Sequence, residues 1–183
     1  MFPKSRQFTP IPSGIALLSA VAVAAVLAGL PANPIAAQTV TEKATRDETV
    51  EVAKTDPVMA AAMRKAQAKL PEFLAIAAAP KPGMKGFGVK VAIREGGDAE
   101  YFWIHPFTAT DKLFSGVINN KPETVHTVKM GQTITFDISQ IVDWIYIDNG
   151  EMKGNYTGCA ILASALPQEA EEFEKRFSLK CDL

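Results

Sequence analysis

The chain has 183 residues, 48% of them hydrophobic and 21% charged, with 19 Lys and Arg against 20 Asp and Glu for a formal charge of −1. Binding to a phosphate backbone needs clustered bases that release counterions, and the longest basic cluster is Arg64-Lys65. The balance therefore excludes nucleic acid as a partner class.

Lys4 and Arg6 open the chain, no acid precedes Glu42, and an apolar run from Ile15 to Leu30 leads to small residues before Gln38. A basic start, a short Ala-rich centre and Ile35-Ala-Ala37 predict a signal peptide over residues 1–37, cleaved after Ala37. The alternative is an uncleaved anchor in the inner membrane, since about 16 apolar residues approach the ~20 that span a bilayer. The sequence has neither a twin arginine before the apolar run nor a cysteine at the cleavage point, so general export without a lipid anchor is expected. The expected location is periplasmic or secreted, with no stable membrane span after cleavage. The remaining chain of about 146 residues is one domain's worth, enough to bury roughly two-thirds of its unfolded surface.

Residues 38–55 are Thr, Glu, Lys, Asp and Val without apolar periodicity and read as a flexible tether. The domain is expected over residues 56–183. Asp56 is a good N-cap, Pro57 suits the first helical position, and Met59, Met63, Ala66 and Leu70 recur at helical spacing. Arg64, Lys65 and Lys69 make the wet face of this helix. A kink at Pro71 is expected, with a second short helix after it.

From Phe87 the period becomes two: Phe87, Val89, Val91 and Ile93 alternate with Gly88, Lys90, Ala92 and Arg94. Gly96-Gly97-Asp98 turns the chain, and residues 87–105 read as an antiparallel hairpin. Further strands are expected at Leu113–Asn119, Thr124–Met130 and Gln132–Phe136. Asp137-Ile-Ser-Gln140 has the form of a capping box, so one helical turn should precede Asp143. Asp143 would then accept hydrogen bonds where that turn meets the strand Trp144–Asp148. Asp148-Asn-Gly150 predicts a hairpin into a last strand, Met152–Gly158. Pro167–Phe177 reads as a short helix anchored by Phe173 and Phe177, with acids near its start. The fold class is α+β: an amphipathic N-terminal helix on a strongly bent antiparallel sheet or partial barrel, with a short C-terminal helix.

Cys159 and Cys181 are the two cysteines. In an exported chain a structural disulfide is expected, and two free thiols are the alternative. A metal or redox pair lacks Cys-x-x-Cys spacing and a nearby histidine.

The order Phe87-Gly-Val-Lys90, Glu100-Tyr-Phe-Trp103, Phe114-Ser-Gly-Val-Ile-Asn-Asn-Lys-Pro122, Val128-Lys-Met-Gly131, Ile141-Val-Asp-Trp-Ile-Tyr146 and Gly154-Asn-Tyr-Thr157 is similar to the YegJ-like bacterial proteins. The resemblance covers about residues 56–157 and ends before both cysteines, so it says nothing of a bridge. It implies a compact α+β domain of unknown function.

His105 and His126 fall on different expected strands without ligand spacing, so no metal is expected. His105, before Pro106, reads as a strand-end residue and His126 as a solvated one. Ser115, His126 and Asp143 could be assembled into a nucleophilic triplet, yet no nucleophile-elbow motif surrounds the serine. Gly83-Met-Lys-Gly86 is too short for a phosphate cradle. Glu100, Trp103, Asn119, Asn120, Asp143, Trp144, Tyr146 and Tyr156 remain. They read first as structure, with the tryptophans in the core, the asparagines in a turn and Asp143 as a cap. The alternative is a shallow aromatic binding surface rimmed by Glu100 and Asp143. The leading functional reading is a non-enzymatic periplasmic binding or interaction module without a cofactor, whose partner is an unknown envelope protein or small ligand. The runner-up is a small envelope hydrolase using Asp143 or Glu100 as general acid or base.

Overall fold

The computed structural model describes residues 39, 42, 56–110 and 113–181. The expected signal peptide and nearly all of the expected tether lie outside the described residues. Helix α1 runs Pro57–Ala78 as one piece, capped by the Asp56 carboxylate, which accepts from the amides of Val58 at 2.7 Å and Met59 at 3.0 Å. Ala62, Ala66, Leu70 and Phe73 form its buried stripe. The expected break at Pro71 does not occur. Pro71 lies on the exposed side, where water can serve the carbonyl that proline leaves without a donor, while Leu70 and Phe73 are held in the core on either side of it.

The sheet comprises β1 (Met84–Glu95), β2 (Asp98–Thr110), β3 (Leu113–Ile118), β4 (Thr133–Asp137), β5 (Ile141–Asp148) and β6 (Glu151–Gly154). Its order is β4-β3-β2-β1-β5-β6, with every pairing antiparallel. The first hairpin is longer than expected at both ends, and His105 lies inside β2 rather than at a strand end.

Connectivity dictates the curvature. In a flat sheet, β4 and β5 would lie about 19 Å apart, because four strand spacings separate them. Only the 3₁₀ turn Ile138–Gln140 joins them, and the step from Asp137 to Ile141 reaches at most about 14 Å. The sheet must therefore curl, while remaining open between β4 and β6. The turn carries the expected capping box: Asp137 accepts from the Ser139 amide at 2.9 Å, and Gln140 accepts from the Asp137 amide at 2.9 Å.

A bulge follows at once. Lys90 pairs with Asp143 and Val91 with Ile141, so Val142 is the extra residue on β5. The insertion rephases the strand, which lets Ile141, Trp144 and Tyr146 share one core despite spacings of three and two.

One expected strand is absent and another is cut short. Residues 124–130 form a loop laced by side chains, because Glu100 on β2 supplies the acceptors a neighbouring strand would have given. Its carboxylate takes the amides of Glu123, Thr124 and Val125, each at 2.9 Å. The expected strand 152–158 ends at Gly154, and Tyr156–Leu162 is helix α2. Gly154 and Asn155 both adopt positive φ, 82° and 54°, which turns the chain out of the sheet. Helix α3 follows at Pro167–Phe177 as expected.

Cys159 on α2 and Cys181 beyond α3 are bridged, with α-carbons 5.4 Å apart. Around the bridge Cys159, Leu162, Phe173 and Leu179 form a second, smaller core. The tail also joins the sheet edge, where the Met152 amide donates to the Ser178 carbonyl at 2.9 Å.

Candidate functional site

Three strands place Trp103, Lys90 and Asp143 in one cross-strand row. Val89 and Val91 point into the core on either side of Lys90, so the row lies on the opposite face of the sheet. The Lys90 ammonium sits 4.7 Å from the centre of the Trp103 ring and donates to Thr157 Oγ1 at 2.8 Å. Thr157 in turn donates to Asp143 Oδ2 at 2.6 Å. Asp143 also accepts from the amides of Trp144 at 2.8 Å, Tyr156 at 3.3 Å and Thr157 at 2.7 Å.

Asp143 therefore caps a helix, as expected of it, but the helix is α2, downstream, and not the turn before β5. Burial pushes its carboxyl above the ordinary range, opposed by the Lys90 charge and by the Thr157 and Trp144 donors. Burial likewise pulls the Lys90 ammonium down, opposed by Asp143. Lys90 is half-buried as a residue, with its charged end enclosed. A lysine, a hydroxyl and a carboxylate in series resemble an activated nucleophile. Asp143 is 0% and Thr157 2% exposed, however, and the hydroxyl is engaged on both sides. The row is a polar staple that fastens α2 to the sheet.

Glu100 and Asn120 make a second buried polar group. Besides the three amides held by Glu100, Asn120 accepts from the Trp103 amide at 2.7 Å. Asn119 is exposed, and its amide donates to the Trp103 carbonyl at 2.8 Å. His105 Nδ1 lies 2.8 Å from the Phe87 carbonyl, and His126 is exposed as expected. Among the described residues, no three His, Cys, Asp or Glu side chains gather where a metal could be held.

Trp144, Tyr146 and Tyr156 meet elsewhere. Trp144 donates from Nε1 to the Ala66 carbonyl at 3.0 Å and stacks on Phe73 with ring centres 4.9 Å apart, so it lies in the core as expected, beneath α1. Tyr156 meets its edge at 5.5 Å. Gly154 is required here, because a Cβ would lie 2.0 Å from the Trp144 carbonyl oxygen.

Beside these rings opens a cavity of about 300 Å³ between α1 on one side and β6 and α2 on the other. Lys65 and Lys69 of α1 stand 5.6 and 5.8 Å from the centre of the Tyr156 ring. Across the cavity Lys153 and Lys180 pair with Glu151 at 2.9 and 3.4 Å. The eight sequence candidates thus divide: Glu100, Asn120 and Asp143 serve buried scaffolding, Trp103 is half-buried beside Lys90 and not in the core as expected, Asn119 is exposed, and Trp144, Tyr146 and Tyr156 line a cleft. Sequence reasoning passed over the cleft's four lysines together with Lys90 and Thr157. The i, i+4 spacing of Lys65 and Lys69 was the readable signal, since it sets both on one face of α1.

An open, curled antiparallel sheet crossed by one long helix, with a polar staple and a lysine-rimmed cleft, defines a small α+β domain. The chain belongs to the family described as "Uncharacterized protein conserved in bacteria (DUF2314)", whose model matches residues 56–181. It is 33% identical over 90 residues to the uncharacterized protein YegJ of Escherichia coli strain K12, across 49% of this chain and 59% of that protein. It is 25% identical over 95 residues to a Neisseria meningitidis serogroup B protein named for ankyrin repeats, across 50% of this chain and 38% of that protein. The chain thus spans less than two-thirds of the length of either curated relative. No solved structure matches it.

Proposed function

We propose that the protein is an exported, non-enzymatic binding or interaction module of the bacterial envelope, working through the cleft between α1 and α2. One observation carries this reading: the open concave surface is lined by aromatic rings and by four lysines against two glutamates, while Asp143 and Glu100, the acids of the hydrolase alternative, are sealed. The hydrolase alternative rests on Asp143 or Glu100. Asp143 is fully occupied by donors, and Glu100 is 6% exposed and bound to three amides. Export is supported by the basic-then-apolar N-terminal sequence and by a cysteine pair suited to an oxidising compartment.

Crosslinking of the tagged full chain in native envelopes, followed by mass spectrometry, tests the proposal. A reproducible partner or ligand adduct is expected, lost in the double variant Lys65→Glu, Lys69→Glu. An adduct that survives those substitutions moves the binding surface elsewhere, and no adduct at all removes the module reading. N-terminal sequencing of the same material tests export: Gln38 is expected first, and an intact Met1 would overturn cleavage.

A further inference from the structure

We infer that the protein pairs with a second copy of itself through β4, edge against edge and antiparallel, about a two-fold axis at Ile134. The inference is independent of the cleft, because β4 and the cleft wall β6 stand at opposite ends of the strand order.

The two edges of the sheet are the first ground. An edge strand presents unpaired N–H and C=O groups, and proteins guard such rows with lysine, proline, bulges or a covering segment. The β6 edge is guarded. The tail lies along it, with the Met152 amide donating to the Ser178 carbonyl at 2.9 Å and Leu179 bridging to Met152, and Lys153 stands in the strand itself. β4 reads Thr-Ile-Thr-Phe-Asp, with neither lysine nor proline, and pairs with β3 over its whole length without a shift in register. The alternation of an antiparallel ladder tells which of its groups face outward. The Ile118 amide donates to the Gln132 carbonyl at 3.0 Å, so Gln132, Ile134 and Phe136 turn toward β3 while Thr133, Thr135 and Asp137 turn toward the open edge. Gln140 Oε1 takes the Asp137 amide at 2.9 Å. Among the described residues no hydrogen bond meets the outward backbone groups of Thr133 and Thr135, and both residues are exposed.

Self-complementarity is the second ground, and it selects the occupant. A second copy laid antiparallel, with Ile134 opposite the partner's Ile134, matches Thr133 of each chain with Thr135 of the other. Each outward N–H and C=O of these threonines then has a partner. The same register sets Met130, just before the strand, level with the partner's Ile138, just after it. Both are exposed, and with Leu113, which pairs with Asp137, they are three of the six large apolar side chains exposed among the described residues. Their gathering about one short strand marks a surface that gains by losing water on association. Lys129 comes toward the partner's Asp137, so opposite charges meet at both ends of the pairing. A parallel arrangement would set lysine beside lysine and aspartate beside aspartate. The strand is short, so the pair is expected to be weak and to follow concentration.

Sedimentation velocity from micromolar to submillimolar concentration, on the protein as its host processes it, tests this together with amide exchange. A reversible dimer is expected, in which the amides of Thr133 and Thr135 exchange more slowly at high concentration than at low. Thr135→Pro removes a donor that faces the open edge, where proline is tolerated, and should weaken the dimer at least about tenfold. Should that variant fold poorly, Met130→Lys, at an exposed position outside the strand, must weaken it likewise with an unchanged melting temperature. The inference is overturned if the parent is monomeric at every concentration, which leaves β4 to a strand of another protein or to none. It is overturned equally if a dimer forms while those two amides exchange at one rate throughout, or if both variants associate as the parent does.

Discussion

The domain is built around two cores that hold by different means. The main one joins fourteen buried side chains from α1, the sheet and the 119–132 loop, with a continuous series of ring contacts through Phe73, Trp144, Tyr146 and Phe87. The C-terminal one has four, and one of them is a bridged cysteine. A core of that size excludes too little water to offset the entropy of ordering α3 and the tail. The contrast teaches where covalent and polar fastening is used: the large core stands on packing, and the small one needs the disulfide at one end and the Asp143 staple at the other.

The largest effect should come from removing the centre of the first core. Trp144→Ala loses the stack on Phe73 and leaves a cavity under α1, at a cost of about 3–5 kcal/mol. A large drop in melting temperature is expected. A variant melting within a degree or so of the parent would break the comparison at its strong end, since an exposed binding tryptophan behaves that way.

Next comes the bridge. Cys159 and Cys181 are 22 residues apart, and opening a loop of this length should cost roughly 3 kcal/mol in unfolded-chain entropy. The loss should be local. In Cys159→Ala, Cys181→Ala, amide exchange should lose protection across Pro167–Phe177 while the near-ultraviolet signal of the main core persists. Simultaneous loss of both would show one cooperative unit and remove the distinction. Alkylating the unfolded, unreduced protein should add no label, against two after reduction.

The smallest effect concerns the tail's ionic contacts. The hydrogen bond from Lys153, its charge and that of Lys180 hold Glu151 below the ordinary glutamate range. A depressed acid stabilises the fold above its unfolded pKa and loses that contribution as pH falls through its folded one. Parent and Glu151→Gln should therefore differ slightly in melting temperature at neutral pH and converge in acid. Glu151 is exposed, so a shift of no more than a degree or two is expected. Equal melts at both pH values would show that these ion pairs do nothing for the small core.

Elements announced by adjacent residues were legible in the sequence. The Asp56-Pro57 start, the 137–140 capping box, the turn at Gly96 and the Pro167 helix each carry their signal within a few positions, and each is found. Helix α2 was not legible. Its first turn is capped by Asp143, thirteen and fourteen residues upstream of the amides it accepts, and Asn155 makes no side-chain cap of its own. The loop over 124–130 was read as a strand for the same kind of reason, since Glu100 lies 23 to 25 residues away in sequence. Trp144 and Tyr146 could be assigned to one face from their spacing. That Lys65 and Lys69 stand over Tyr156 depends on how α1 crosses α2, which spacing does not encode.

The short link between β4 and β5 has a consequence of its own. Strand pairing alone permits a range of curvatures, but a tether of fixed length across four strand spacings selects one, much as a bowstring sets the bend of a bow. The width of the trough that receives Phe73 and Leu70 is then set by the number of residues between Asp137 and Ile141, independently of any contact inside the trough. An insertion there would slacken the string and loosen the packing of α1 from a distance, although no core side chain had changed.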